Sequence, residues 1–142
     1  MSIKYKIFPE QNLLVDVVKE NVNLSDLMLL YKHEINNENF KYVYKVLSDI
    51  SGAVFNITLN DILKFIESMI SPNPDPAFRW AILTRNPQQT ALSYIIKDHK
   101  YFSKILNVFS TLEACIAFLE VKFDENDFND KDYLVLNEDE KN

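Results

Sequence analysis

Two structural signals meet in residues 46–63, which read VLSDISGAVFNITLNDIL. Its first residues continue a β-branched and aromatic run that starts at Tyr42, and this composition is typical of a strand. Gly52, the single glycine of the chain, indicates a tight backbone just after that strand. Thr58 and Asp61 have the spacing of a capping box, so a helix is predicted to begin there. The stretch is therefore predicted to fold as strand, loop and helix.

Toward the N-terminus, the pattern predicts a hairpin and a first helix. Residues 3–8 alternate between two faces, and residues 13–19 are again apolar and β-branched, so the two runs predict antiparallel strands joined around Pro9. After Asn23, a suitable N-cap, the apolar period changes to that of a helix. The helical stripe is formed by Leu24, Leu27, Leu30, Tyr31 and Ile35.

Toward the C-terminus, strands and helices alternate. Residues 78–84 contain the unbroken apolar run WAIL, which is typical of a central strand covered on both faces. Asn86 is followed by proline and predicts the cap of a third helix. Residues 104–109 predict a last strand, and Ser110 with Glu113 predicts the cap of a fourth helix.

This order predicts one α/β domain. An N-terminal β-hairpin followed by βα units gives right-handed crossovers onto a mixed, largely parallel five-stranded sheet. We place the domain at residues 1–121 and an acidic C-terminal tail at residues 122–142. From Val121 onward the chain has eight acidic and three basic residues. We expect a loosely ordered extension, and the alternative is that residues 133–136 dock on the body or on a partner.

The composition of the 142 residues excludes several kinds of site. One glycine argues against a Gly-rich nucleotide loop, because cradling a phosphate with backbone N–H groups requires residues that adopt positive φ freely. Two histidines and one cysteine are too few for a structural zinc site. We therefore expect no metal and no cofactor, and we expect Cys115 to be a small buried hydrophobe.

Charge limits the partners. A net charge of −6 and a pI near 4.9 disfavour nucleic acid. Lysines and tyrosines alternate in residues 41–45, but a period of two places them on opposite faces, as in an ordinary strand. No apolar run approaches the roughly 20 residues that a spanning helix needs, and the first residues lack the apolar core of a signal peptide. We expect no membrane insertion and a cytoplasmic location.

The element order and two motifs resemble the SpoIIAA-like or STAS fold, the family of bacterial anti-sigma-factor antagonists and of the cytosolic domains of sulfate transporters. The resemblance spans roughly residues 3–121. Residues 109–119 resemble the strand-to-helix ending of uncharacterised STAS-like proteins. The family's Asp-Leu-Ser-Gly-like strand end is matched by Asp49, Ile50, Ser51 and Gly52. Its Asp-Ser-Ser-Gly-like helix start is replaced here by residues 57–60, Ile-Thr-Leu-Asn.

The resemblance implies a regulatory site beside these motifs. Thr58 falls at or next to the family's phosphorylated serine, which makes Thr58 a candidate regulatory phosphosite, since the N-terminus of a helix attracts anions. The alternative is that Thr58 only caps its helix. The residues implied in binding a protein partner are Asp49, Ser51, Gly52 and Thr58.

Two further candidate sites follow from the residues themselves. Arg85 and Asn86 come after the predicted central strand, where they and the free amides of the next helix would hold a small anion. The alternative is an exposed arginine with Asn86 as a cap only. Asp49 and Asp61 are a candidate carboxylate pair for acid–base chemistry, although a turn and a helix cap also explain them.

These features predict a non-enzymatic regulatory or protein-interaction module that resembles STAS and anti-sigma-factor-antagonist domains. Its protein partner is unknown, and an unpaired edge strand would also allow a homodimer. The alternative is a protein that binds a small apolar, lipid-like ligand, because ten Phe, seven Tyr and one Trp could line a pocket between the sheet and its helices. An enzyme that uses Asp49, Asp61 or Arg85 is a third alternative.

Overall fold

The computed structural model describes residues 1–72 and 75–137. Its strands are β1 (Ser2–Phe8), β2 (Leu13–Val22), β3 (Lys45–Phe55), β4 (Arg79–Leu83), β5 (Leu106–Phe109) and β6 (Leu134–Val135). Within this part of the chain they form one six-stranded sheet in the order β5-β4-β3-β2-β1-β6. Strands β2 to β5 are parallel, whereas β1 is antiparallel to both of its neighbours, β2 and β6.

The described residues form four α-helices that cover the two faces of the sheet. They are α1 (Leu24–Ile35), α2 (Leu59–Met69), α3 (Pro87–Lys97) and α4 (Leu112–Leu119). One hydrophobic cluster joins the sheet to α1, α2 and α3, and a second joins the opposite face to α4 and the residues after it. The predicted α/β class, with a hairpin followed by βα units, is confirmed. No helix in the described ranges is long and apolar enough to cross a membrane.

Strand β2 contributes to both cores. Leu14 and Val18 belong to the cluster under α1, α2 and α3, whereas Leu13 and Val17 belong to the cluster under α4. This division follows from the alternation of side chains along a strand. Asp16 lies between Leu14 and Val18 on the same face of β2, and its side chain is buried. A charged residue therefore occupies the middle of an apolar row in a central strand.

Strand β3 continues five residues beyond its predicted end, to Phe55. Val17 of β2 pairs with Asp49. Two residues further along β2, Lys19 pairs with Gly52, so β3 carries one extra residue and bulges. Gly52 suits this position because a Cβ there would lie 3.0 Å from Cγ of Lys19. The tight backbone predicted here is thus a bulge inside one strand, and the predicted loop before α2 is shortened to residues 56–58.

The predicted helix starts are confirmed with one correction. Oγ1 of Thr58 accepts a hydrogen bond from the Asp61 amide at 3.1 Å, and Oδ2 of Asp61 accepts one from the Thr58 amide at 3.0 Å. Asn86 caps α3 with the same reciprocal geometry. Helix α4 begins one residue later than predicted, because Thr111 accepts the hydrogen bond from a first-turn amide and Ser110 does not.

The C-terminal segment packs on the domain. Its strand β6 pairs with β1, so the sheet has six strands where the sequence pattern predicted five. Three side chains of the segment are buried, namely Phe123, Tyr133 and Leu136. Composition concealed this packing because the apolar residues stand singly or briefly among many acidic ones. Residues 122–137 are therefore structured against the body, and residues 138–142 of the predicted tail lie outside the described residues.

Candidate functional site

A cavity of about 330 Å³ lies between the sheet and helices α1, α2 and α3. Strands β2, β3 and β4 form one wall, and the inner faces of the three helices form the other. Its volume is at the lower end of the range for pockets that bind small molecules. Most of the lining is aliphatic or aromatic, including Leu14, Val18, Leu27, Leu30, Ile50 and Phe65.

Two carboxyl groups interrupt this apolar lining. Asp16 comes from the middle of β2 and Glu34 from the last turn of α1, and their side chains belong to residues only 4% and 7% exposed. They are hydrogen-bonded to each other, and Asp16 is also hydrogen-bonded to Ser48 of β3. An ionised carboxylate only accepts hydrogen bonds, so two carboxyl groups bond to each other only when one holds a proton. Asp16 and Glu34, the carboxyl pair, therefore share a proton.

Burial determines which member of the carboxyl pair holds that proton. Desolvation raises the pKa of Glu34 well above its ordinary value of 4.5, and repulsion by the neighbouring Asp16 raises it further. Desolvation also raises the pKa of Asp16, while its hydrogen bonds with Glu34 and Ser48 lower it. No N–H or hydroxyl group of the described residues donates to Oε2 of Glu34. Glu34 is therefore the protonated partner, and Asp16 is the first to ionise.

Glu34 faces the cavity because of the helical register of α1. It follows Leu27, Leu30 and Tyr31 at spacings of three and four residues, and all four line the cavity. The sequence pattern instead assigned Ile35 to the end of this stripe. That assignment is wrong, because Ile35 is 40% exposed. Helical geometry thus places a carboxyl group on the buried face and an isoleucine on the outside.

The single tryptophan lies at the same end of the cavity as the carboxyl pair. Nε1 of Trp80 donates a hydrogen bond to Oγ of Ser48 at 2.9 Å. Because Ser48 is also bonded to Asp16, the serine hydroxyl connects the indole to the carboxyl pair. Phe102 packs against the indole edge to face, with ring centroids 5.7 Å apart. Trp80 is therefore a fixed, built-in fluorescent reporter of this cavity.

The charged groups of the lining are all acidic. Besides the carboxyl pair, Asp61 and Asp75 line the cavity, and no described lysine, arginine or histidine does. Asp61 is engaged in the capping box of α2, and Asp75 accepts a hydrogen bond from the amide of Ala77. In the described ranges, no group of three or more His, Cys, Asp or Glu residues is arranged to hold a metal ion. The site is an apolar space whose charged lining residues, among those described, are all acidic.

The structure does not bring the candidate pair of Asp49 and Asp61 together. Asp61 lines the cavity. In the sheet Asp49 pairs with Val17 and Leu83, whose side chains belong to the core on the opposite face. Its Oδ1 accepts hydrogen bonds from the amide and the hydroxyl of Ser51, at 3.0 and 2.6 Å. The sheet thus separates the two carboxylates.

The residues implied in partner binding lie in β3 and at the start of α2. Ser51 and Gly52 lie at the bulge, and Thr58 lies at the exposed start of α2. Oγ1 of Thr58 is engaged in the capping box, which gives this side chain a structural role. A phosphate on Thr58 would replace the cap and stand beside the carboxylate of Asp61. The phosphosite and the partner-binding set stay predictions.

Arg85 and Asn86, the candidate anion site, are exposed between β4 and α3. Their amides both donate to Oε1 of Gln89, at 2.7 and 3.3 Å, and the Gln89 amide donates to Oδ1 of Asn86. Gln89 is buried, and its Nε2 also donates to the carbonyls of Ser51 and Ala53. Two amides considered for an anion, those of Asn86 and Gln89, thus already have partners within the chain. Anion binding at Arg85 stays a prediction.

The carboxyl pair was absent from the candidates chosen by sequence, although each member left a trace. Asp16 is the single charged residue in the run LLVDVV of residues 13–18, and Glu34 falls at helical spacing from Tyr31. Each signal by itself also fits an exposed charge. The two carboxyl groups become a pair only when α1 lies across β2, which is a property of the tertiary fold.

Comparison with known proteins identifies the fold of this chain and no more than the fold. No family model matches the chain, and the search of curated proteins found no match. Among solved structures, the chain is similar to an uncharacterised protein of the DUF3478 family with a SpoIIAA-like fold from Shewanella loihica. The similarity covers 84% of this chain and 95% of that chain, at 15% sequence identity and a TM-score of 0.52. The SpoIIAA-like fold inferred from the sequence is thereby confirmed, and the function is argued from the site.

Proposed function

We propose that this chain is a non-enzymatic protein that binds a small apolar ligand between the sheet and helices α1, α2 and α3. The observation that carries the proposal is the cavity of about 330 Å³ with mostly apolar walls. Protein interiors are close-packed and contain few voids larger than a water molecule. A partly open apolar space of this volume between the layers of a small domain therefore supports the proposal of a binding site.

The hydrophobic effect supplies the affinity. Burying an eight-carbon chain gains roughly 6 kcal/mol at about 0.8 kcal/mol for each CH₂ group. Part of this gain is lost when the ligand loses its freedom of motion, so we expect Kd for such a chain below about 1 mM. Aromatic and aliphatic walls also contribute dispersion contacts. Burial of the apolar chain and these contacts are therefore sufficient for binding.

The proposal of a non-enzymatic role rests on the state of the chain's reactive groups. Burial raises the pKa of the Cys115 thiol to about 12, so this thiol stays protonated and is a poor nucleophile. Cys115 also lies in the core on the far side of the sheet from the cavity. Burial also raises the pKa of Tyr31, which lines the cavity near Glu34, so this phenol stays protonated as well. These features favour binding over catalysis.

The test is a titration with octanol followed by the fluorescence of Trp80. The chain has one tryptophan, so the signal comes from the cavity itself. We expect a saturable change in intensity and emission maximum. The double substitution Leu27→Phe/Leu30→Phe adds bulk inside the cavity and should weaken binding at least about tenfold. Absence of saturable binding by the wild-type protein would overturn the proposal.

A matched control uses the other face of the same helix. Met28 and Ile35 of α1 are 37% and 40% exposed, so Met28→Phe/Ile35→Phe makes the same chemical addition outside the cavity. This control should bind octanol as the wild-type protein does. Thermal melting of both variants verifies that they are folded. Equal weakening by the two variants would show that octanol binds elsewhere.

A second candidate function is the regulatory or protein-interaction module predicted from the sequence. It is favoured by Val54, Leu59 and Leu63, which are 51%, 59% and 45% exposed near Thr58. A protein partner, or a second copy of the chain, would cover these apolar side chains. Val54→Asp/Leu59→Asp should then abolish association and leave octanol binding unchanged. Both roles are compatible with the cytoplasmic location predicted from the sequence.

A further inference from the structure

We propose that the carboxyl pair makes the cavity selective for a ligand whose polar end is a cationic hydrogen-bond donor, that is, for a small apolar amine. This inference rests on the proposed function and names the class of ligand that the site would take. It is carried by the position of Asp16 and Glu34 in the cavity wall, by their burial, and by the acidic character of the whole lining.

The first step concerns charge. Two carboxyl groups that share one proton carry one negative charge between them. The described lining contains no lysine, arginine or histidine to balance that charge. A buried charge without a counter-ion is unfavourable, because the interior solvates it far less well than water does. An ammonium group bound beside Asp16 and Glu34 would provide the missing positive charge.

The second step concerns hydrogen bonds. An ammonium group donates up to three hydrogen bonds and accepts none. The polar end of the cavity offers acceptor oxygens on Asp16 and Glu34, and Oε2 of Glu34 is buried without a hydrogen-bond donor among the described residues. Charge-assisted hydrogen bonds of this kind are stronger than neutral ones. An ammonium group would therefore supply a donor for the unpartnered oxygen and a positive charge for the carboxyl pair.

The third step excludes the opposite ligand chemistry. A fatty acid has an equally apolar chain, but its carboxylate would be placed against a negatively charged pair, and the described lining holds no lysine, arginine or histidine to offset the repulsion. A neutral alcohol would donate one hydrogen bond without a charge. The expected order of affinity for chains of equal length is therefore amine, then alcohol, then carboxylic acid.

The test compares octylamine, octanol and octanoate at neutral pH, with the fluorescence of Trp80 and isothermal titration calorimetry as readouts. We expect octylamine to bind at least about tenfold more tightly than octanoate, with octanol between them. The double variant Asp16→Asn/Glu34→Gln removes the charge and keeps the shape, so it should lose the preference for octylamine and still bind octanol. A control, Glu10→Gln/Glu113→Gln, removes two exposed carboxylates and should keep the preference.

Each outcome separates this inference from the proposed function. If octanol binds and the three ligands bind equally, or octanoate binds most tightly, the selectivity is refuted and the binding function stands. If none of the three binds, the proposed function itself fails. A preference for octylamine that persists in the Asp16→Asn/Glu34→Gln variant would show that other carboxylates attract the amine, which also refutes the role of the carboxyl pair.

Discussion

Replacing Glu34 with glutamine should change how stability depends on pH. Glutamine keeps the shape of the side chain and can still donate a hydrogen bond to Asp16, but it does not titrate. In the wild-type protein, burial and the neighbouring Asp16 raise the pKa of Glu34 well above 4.5. The folded state therefore holds a proton that the unfolded state releases once the pH exceeds that value. The variant has no such proton.

The sign and size of the effect follow from proton linkage. Below pH 4.5 both states of the wild-type protein hold the proton. As the pH rises from there through the pKa of folded Glu34, the contribution of Glu34 to the free energy of unfolding falls by up to about 1.4 kcal/mol for each pH unit. For a domain of this size, 1 kcal/mol corresponds to a shift in Tm of about 4 °C. The free energy of unfolding of Glu34→Gln should therefore rise progressively relative to that of the wild-type protein as the pH increases.

The assay is urea denaturation of both proteins at a series of pH values from mildly acidic to mildly basic. The quantity of interest is the difference between their free energies of unfolding, since titrations common to both cancel in it. Glu113→Gln, an exposed change of the same kind on α4, should give a difference that does not vary with pH. A flat difference for Glu34→Gln as well would refute the burial of a shared proton.

Substitutions at three further positions test other parts of the fold by denaturation. Thr58→Ala removes the capping oxygen of α2 and should lower stability by about 1 kcal/mol, whereas Thr58→Ser should be nearly neutral. Phe123→Ala empties a buried position in contact with the ring of Phe8 and should cost about 3–5 kcal/mol. A cost below 1 kcal/mol would contradict the packing of the C-terminal segment. Gln89→Leu leaves the carbonyls of Ser51 and Ala53 without donors and should cost more than about 2 kcal/mol.

Local signals in the sequence predicted the elements of this fold well. The capping box of Thr58 and Asp61 is complete within four residues, so no distant part of the chain is needed to form it. The run from Trp80 to Leu83 is apolar on both sides, and β4 accordingly lies between two parallel strands with helices on both faces. Elements that are determined by neighbouring residues can therefore be predicted from the sequence pattern alone.

Non-local contacts limited the rest of the prediction. The short strand Leu134–Val135 forms because β1 offers an unpaired edge, and composition alone does not show that edge. Likewise, Asp16 and Glu34 lie 18 positions apart on a strand and a helix. Their contact depends on which face of α1 is buried. The sequence pattern placed Ile35 on that face because it is hydrophobic, whereas the structure places Glu34 there. The candidate site therefore could be recognised only after the layers of the fold were known.

Methyl NMR during a titration with octanol tests the central claim most directly, because β2 alternates between the two faces of the sheet. The account predicts saturable shifts for the methyl groups of Leu14 and Val18, which face the cavity side, and little change for Leu13 and Val17, which face α4. Shifts confined to exposed methyl groups such as those of Leu59, or no saturable shifts at all, would contradict the claim that this chain binds an apolar ligand in its cavity.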